Sequence, residues 1–261
     1  MSELNIFIAT KGRYDNCKTV QLFKEYSNYN NLRNIFLVVE PRELALYKKN
    51  YPDQQYLILP EENKGLAFAR NFIKRYSEIE KMPNYWVLDD DISYFYNREG
   101  KKLNRVKFDE ALIDSQRYFI SNEVACGGLE YRQFAWSSKK RGIYNSFCDC
   151  VVFIDNNLTY GLYYNEKLKL KIDRDYCIKV ISSGQKTCRD TMNAFSVPPN
   201  GSNKGGLKEI AYDKKNVELN ACKIMVEIWG ENICQHIEKK DGRNDLKIHW
   251  KNINNNQTKL F

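Results

Sequence analysis

Histidine is the scarcest chemistry-bearing residue in this 261-residue chain, with only His236 and His249 present. So few imidazoles make a zinc cluster or a Ser-His-Asp triad hard to assemble. Cys-x-x-Cys is absent too, and the eight cysteines are scattered along the chain. Cys17, Cys126, Cys177, Cys222 and Cys234 have apolar neighbours, among which a reduced thiol behaves as a small hydrophobe. Cys148 and Cys150 precede a strand-like run at 151–154 and are expected to share one face of it, as packing residues. No apolar run approaches the ~20 residues needed to span a bilayer. Met1-Ser2-Glu3-Leu4 lacks the basic and apolar regions of a secretory signal, so a cytoplasmic protein without a membrane partner is expected. Repeats are absent, and only residues 196–206 (SVPPNGSNKGG) are rich in proline and glycine.

What is present describes a folded chain. Hydrophobic residues make up 43% and aromatics 13%, enough for a sizeable core in one domain. The net charge of +8 is concentrated in runs. Arg98, Lys101, Lys102, Arg105 and Lys107 form one, and Arg132, Lys139, Lys140 and Arg141 form another, interleaved with Tyr131, Phe134 and Trp136. Basic surface with aromatics between the charges suits a polyanion whose bases can stack. Ordinary solvated lysine has the same composition.

The first ninety residues alternate strand and helix signals. Short apolar runs at 4–9, 34–39, 56–59 and 85–88 read as strands, and the 3.6-residue spacing of apolar side chains predicts helices at 17–26, 42–50 and 65–79. This series predicts an α/β fold with a mostly parallel sheet flanked by helices. The second half is less regular. Helices are expected at 108–120, 174–183 and 219–236, and strands at 123–127, 149–154 and 246–250.

The fourth apolar run leads straight into Asp89-Asp90-Asp91. Strand ends in α/β sheets open into the crevice where ligands bind. Alternate residues of an extended segment point the same way, so Asp89 and Asp91 can face one site while Asp90 turns aside. Adjacent carboxylates there repel unless a cation joins them, and hard oxygen ligands suit Mg²⁺ or Mn²⁺, which in turn hold phosphate oxygens. A solvated acidic turn or helix cap is the alternative.

The order of the pieces carries more than any one of them. Thr10-Lys11-Gly12-Arg13 ends the first strand and Val39-Glu40 the second. Asn63-Lys64-Gly65-Leu66-Ala67-Phe68-Ala69-Arg70-Asn71 opens a helix, and the triple aspartate closes the series. Over residues 1–95 this resembles the nucleotide-sugar-binding half of GT-A glycosyltransferases, leaving 96–261 as an acceptor-side half. With 8–13, 59–61, 86–91, 173–177 and 245–250 included, the chain resembles the TET/JBP-associated glycosyltransferases, which include the base J glucosyltransferase and phage enzymes acting on hydroxymethylated DNA bases.

The resemblance implies a GT-A-like fold, Mn²⁺ or Mg²⁺, and a nucleotide-sugar donor, UDP-sugar foremost. Its acceptor would be a hydroxylated pyrimidine in DNA, modified in the cytoplasm of a phage-infected host. Thr10, Lys11, Arg13, Glu40, Gly65 and Arg70 fall where the nucleotide and its phosphates bind, with Asp89 and Asp90 beside them. Lys204, in the glycine-rich loop, would be a charge partner for the diphosphate. Asp89, Asp91 and the late His249 are the implied metal ligands. The acceptor's base falls on Asp173 or Asp175, because Ile172 replaces the glutamate of the usual Glu-Asp pair. A target base would leave the stack to reach the site, with Tyr94, Tyr96, Phe134 and Trp136 available to hold it. The residues leave open a glycan or lipid acceptor, a non-catalytic DNA-binding module on this fold, and a nucleotidyltransferase. An oxygenase is not expected, since its iron site needs two histidines near a carboxylate.

Overall fold

The computed structural model describes residues 4–26, 34–136, 139–198 and 215–253. Lys204 and its glycine-rich loop lie outside the described residues.

Strands β1 (Ile6–Ala9), β2 (Ile35–Val39), β3 (Gln55–Ile58) and β4 (Asn84–Asp89) pair in parallel in the order β3-β2-β1-β4. Beyond β4 the sheet continues through β9 (Val151–Asp155), β7 (Val124–Tyr131), β10 (Lys186–Ser196), β5 (Tyr94–Glu99) and β6 (Lys102–Val106), with β8 (Gly142–Tyr144) also on β10. Relative to β1, the strands β2, β3, β4, β6, β7 and β10 run the same way, whereas β5, β8 and β9 run against it. The expected α/β fold with a mostly parallel sheet is therefore present. An antiparallel β9 lies in its middle.

Alternation along each strand divides the core in two. Phe7 of β1, Tyr85 and Val87 of β4, and Val152 and Ile154 of β9 pack under α3 (Leu66–Ile79), α5 (Ile172–Ser182) and α6 (Lys215–Trp229). Ile6, Ile8, Trp86, Leu88, Val151 and Phe153 face the opposite side, under α1 (Lys18–Tyr26), α2 (Leu44–Asn50) and α4 (Phe108–Ser121). Strands buried on both faces read as continuous apolar runs, which is why the first four were visible in the sequence.

Three elements depart from expectation. Tyr94–Val106 forms a hairpin: Glu99 pairs with Lys102, leaving Gly100-Lys101 as a two-residue turn with Gly100 at φ +58°. The expected helix at 219–236 ends at Trp229, because Gly230 takes φ +75° and its N–H caps the Val226 carbonyl at 2.8 Å. His236 consequently lies on β11 (Cys234–Glu238), which pairs with β12 (Asn244–Ile248) in a separate two-stranded sheet. Cys148 and Cys150 do not share a face either. Cys150 sits at φ +57°, turning the chain just before β9, so the Cys148 thiol enters the core while Cys150 meets the Tyr131 hydroxyl.

Candidate active site

The carboxyl ends of β1, β2 and β4 open on one edge of the sheet. The start of β9 reaches the same edge because that strand is antiparallel, and the Asp89 amide donates to the Cys150 carbonyl at 2.7 Å.

At the β1–β2 end, Lys11 Nζ lies 2.6 Å from Glu40 Oε1 and 2.8 Å from Asn63 Oδ1. The Asn63 amide donates to the same Glu40 oxygen at 2.8 Å. Glu40 is thus a buried carboxylate that fixes a lysine at the crevice mouth. Gly65, at φ +95°, precedes α3 and accepts from the Ala69 amide at 3.2 Å.

Asp89 ends β4 and Asp90-Asp91 lie in the turn that follows, so the turn, rather than the alternation of an extended segment, divides the triple aspartate. Asp90 is buried, accepts from Thr10 Oγ1 at 2.6 Å and pairs with Arg13. Burial pushes its carboxyl up to about 6, with Arg13 opposing. Its chemistry is spent on holding Thr10 and Arg13 in place. Thr19 on α1 anchors the turn, donating to the Asp89 carbonyl at 2.6 Å and accepting from the Ile92 amide at 2.9 Å. Asp89 and Asp91 keep side-chain exposures of 34% and 25%, so both carboxylates reach the crevice. Burial pushes Asp89 up to about 7; Arg70 opposes the shift, and the charges of Asp91 and Asp173 add to it. Arg13 approaches Asp91 at 3.2 Å.

Arg70 joins the two halves of the site. It is 1% exposed, pairs with Asp173 at the start of α5, approaches Asp89 at 3.5 Å and lies over the Tyr164 ring at 5.4 Å. Its helix places it opposite β4, and its guanidinium spans the distance between the two carboxylates.

Asp175 does not reach this crevice. It is fully buried, accepts from Trp229 Nε1 at 2.9 Å and pairs with Lys179 at 3.0 Å, beneath α6. His249 follows β12, a strand tied to α5 through Asp245, which pairs with Lys171 at 2.8 Å and Arg174 at 2.7 Å. It belongs to no group of three His, Cys, Asp or Glu ligand atoms within 4.8 Å of one another among the described residues. Among the described residues, only Cys126, Cys148 and Cys177 form a group of three His, Cys, Asp or Glu ligand atoms within 4.8 Å of one another. Asp89 and Asp91 are the two carboxylates that this strand end and turn present to the crevice. Two hard oxygens, one of them charged only at a cost, fit a divalent cation whose remaining positions go to phosphate and water.

Sequence reasoning missed Asp149. It lies half-buried just before β9, accepts from the Tyr131 hydroxyl at 2.9 Å, and is pushed up to about 7 by burial and by the neighbouring Asp173 charge. It lies at the start of a strand, where a sequence gives no crevice signal, and only the long-range antiparallel β4–β9 pairing reveals it. The four expected aromatics differ in exposure and partners. Phe134 and Trp136 are exposed, Tyr96 is buried beneath Arg132, and Arg105 stacks on Tyr94 at 3.3 Å. Two surface hollows of about 470 and 510 Å³ lie against α6 and include none of the crevice residues.

Human protein GREB1 is 27% identical over 224 residues, covering 73% of this chain and 11% of that protein. Mouse GREB1 is 25% identical over 242 residues, covering 80% and 12%, so the chain spans only about an eighth of these relatives or less. Among solved structures, S. aureus TarS 1–349 in complex with UDP-GlcNAc aligns with a TM-score of 0.56 at 12% identity, covering 87% of this chain and 66% of that one. GalNAc-T7 with UDP, GalNAc and Mn²⁺ aligns with a TM-score of 0.54 at 11% identity, covering 84% and 50%. These likenesses establish the GT-A fold. A family model described as TET-Associated Glycosyltransferase matches residues 4–205. The chain belongs to the TET-associated glycosyltransferase family.

Proposed function

We propose that the chain transfers a sugar from a nucleoside diphosphate sugar, UDP-sugar foremost, to a hydroxymethylated pyrimidine in DNA. The observation that carries this reading is the Asp89–Arg70–Asp173 arrangement, which places a carboxylate from the strand edge and one from a helix start on a single buried guanidinium. In this reading Lys11, held by Glu40, and Arg13, held by Asp90, present fixed positive charge where a diphosphate would lie. Thr10, Glu40 and the Gly65 turn shape the nucleotide end. Asp89 and Asp91 would hold Mn²⁺ or Mg²⁺, which supplies positive charge to the departing diphosphate when bound.

Asp173 is the general base in this reading, since Asp175 is occupied beneath α6. As the acceptor oxygen forms its bond to the sugar carbon and the nucleoside diphosphate leaves, the hydroxyl proton passes to the carboxylate. Arg70 fixes the orientation of that carboxylate. Exposed Phe134 and Trp136, near Arg132, offer stacking surface beside positive charge, which suits a base drawn out of the helix.

The test incubates purified protein and Mn²⁺ with hydroxymethylpyrimidine DNA and a panel of nucleotide sugars, followed by mass spectrometry of the digested nucleosides. A gain of one sugar, abolished by Asp173→Asn, is expected. Donor hydrolysis with unmodified DNA would discard the acceptor, and no turnover of any donor would discard the reaction.

A further inference from the structure

We propose that Cys126, Cys148 and Cys177 form a buried three-thiolate site for a single soft cation of low coordination number, of which Cu(I) is the type. The three come from separate elements: Cys126 from β7, Cys148 from the turn before β9, and Cys177 from α5. Their exposures are 0, 2 and 1%, and their sulfurs all lie within 4.8 Å of one another. A planar trigonal centre with metal–sulfur bonds of about 2.3 Å needs sulfurs roughly 4 Å apart, so the triangle is close to the required size. None of the other five cysteines belongs to such a group among the described residues.

A backbone donor already points at this cluster. The Cys148 amide donates to Cys177 Sγ at 3.3 Å, the kind of N–H···S contact that stabilises sulfur charge. A buried sulfur anion without a counter-ion is costly, and a bound cation removes that cost.

The donor set selects the ion. Zinc in a structural site needs a fourth ligand, and no His, Cys, Asp or Glu of the described residues supplies one. Three soft sulfurs in an apolar pocket suit Cu(I). Each thiol that ligates releases its proton to solvent, so binding strengthens as pH rises. Cys177 lies one helical turn beyond Asp173 on α5, and Cys148 immediately precedes Asp149. An ion here would tie β7, the entry to β9 and α5 together under the acceptor side of the crevice. The proposal stands on these sulfurs alone and does not depend on the sugar-transfer reading.

The experiment titrates the full chain, reduced and metal-free under anaerobic conditions, with Cu(I) against a coloured Cu(I) chelator. One Cu(I) per chain withheld from the chelator, ultraviolet sulfur-to-copper absorption and an upward shift in Tm are expected. Cys126→Ser and Cys177→Ser should lose all three signals, whereas Cys222→Ser should keep them. Should the serine variants fail to fold, X-ray absorption on the wild-type chain decides, with three sulfur neighbours at one short distance expected. Loss of all copper to the chelator would overturn the proposal. So would two-sulfur coordination, preferential retention of Zn(II), or a disulfide among the three in the isolated protein.

Discussion

Replacing Arg70 with methionine tests the link between the two carboxylates most severely. Methionine keeps much of the stem that packs over Tyr164 but removes the charge, leaving Asp89 and Asp173 beside each other without a cation. Removing one partner of a fully buried ion pair costs about 3–5 kcal/mol. Asp173 and Asp89 retain side-chain exposures of 23% and 34%, so water softens the loss and the lower end of that range, about 3 kcal/mol, is expected. For a chain of this size that corresponds to a fall in Tm of roughly 6–12 °C. Urea unfolding followed by circular dichroism measures it directly. The double variant Arg70→Met/Asp173→Asn carries one fewer stranded charge and should recover about 1–2 kcal/mol relative to Arg70→Met, a non-additivity expected only of groups in contact. A single variant within about 1 kcal/mol of wild type, or a strictly additive double variant, would refute the reasoning.

Three further outcomes follow from the same geometry. Asp149 has a folded-state value of about 7, above the value of about 3.9 for an unfolded aspartate. Its folded form holds the proton more tightly, so its ionisation destabilises the fold progressively from about pH 4 to about pH 7. Asp149→Asn should therefore raise Tm at pH 8 and leave it nearly unchanged at pH 4, and an equal shift at both values would contradict the assignment. Gly65→Ala forces an L side chain to φ +95°, with Lys169 Nζ 3.9 Å from the new Cβ, and should cost about 1–3 kcal/mol in chemical denaturation from backbone strain rather than collision. Gly127→Ala should cost about 1–3 kcal/mol for the opposite reason, since its Cβ would meet the Phe119 ring at 2.5 Å. Phe119→Leu in the Gly127→Ala background should return part of that loss.

The first ninety residues were legible because their strands are buried on both faces and their helices carry one apolar stripe. Thr10, Lys11, Arg13, Glu40, Arg70 and the aspartates therefore fell at predictable strand and helix ends. β10 was illegible because its buried positions include Thr187, Asp190, Thr191 and Asn193. Those polar groups are satisfied from a distance, Asp190 by Ser115 at 2.8 Å and Arg141 at 3.0 Å, which no local pattern announces. The β5–β6 hairpin was obscured by its charges, which read as a solvated run. In the final helix, Ile233 continued the apolar spacing while Gly230, three residues earlier, ended the helix at Trp229. Asp173 and Asp175 are both first-turn carboxylates of one helix, and only Trp229 and Lys179 reveal which of them is occupied.

The most direct test of the account is calorimetric titration of the chain with UDP, with and without Mn²⁺. One UDP per chain should bind in the presence of Mn²⁺, and chelation or Asp91→Asn should weaken that binding at least tenfold, while Lys11→Met weakens it through the diphosphate alone. Binding that persists unchanged after chelation and in Asp91→Asn would contradict the assignment of this strand edge to a metal-held nucleoside diphosphate.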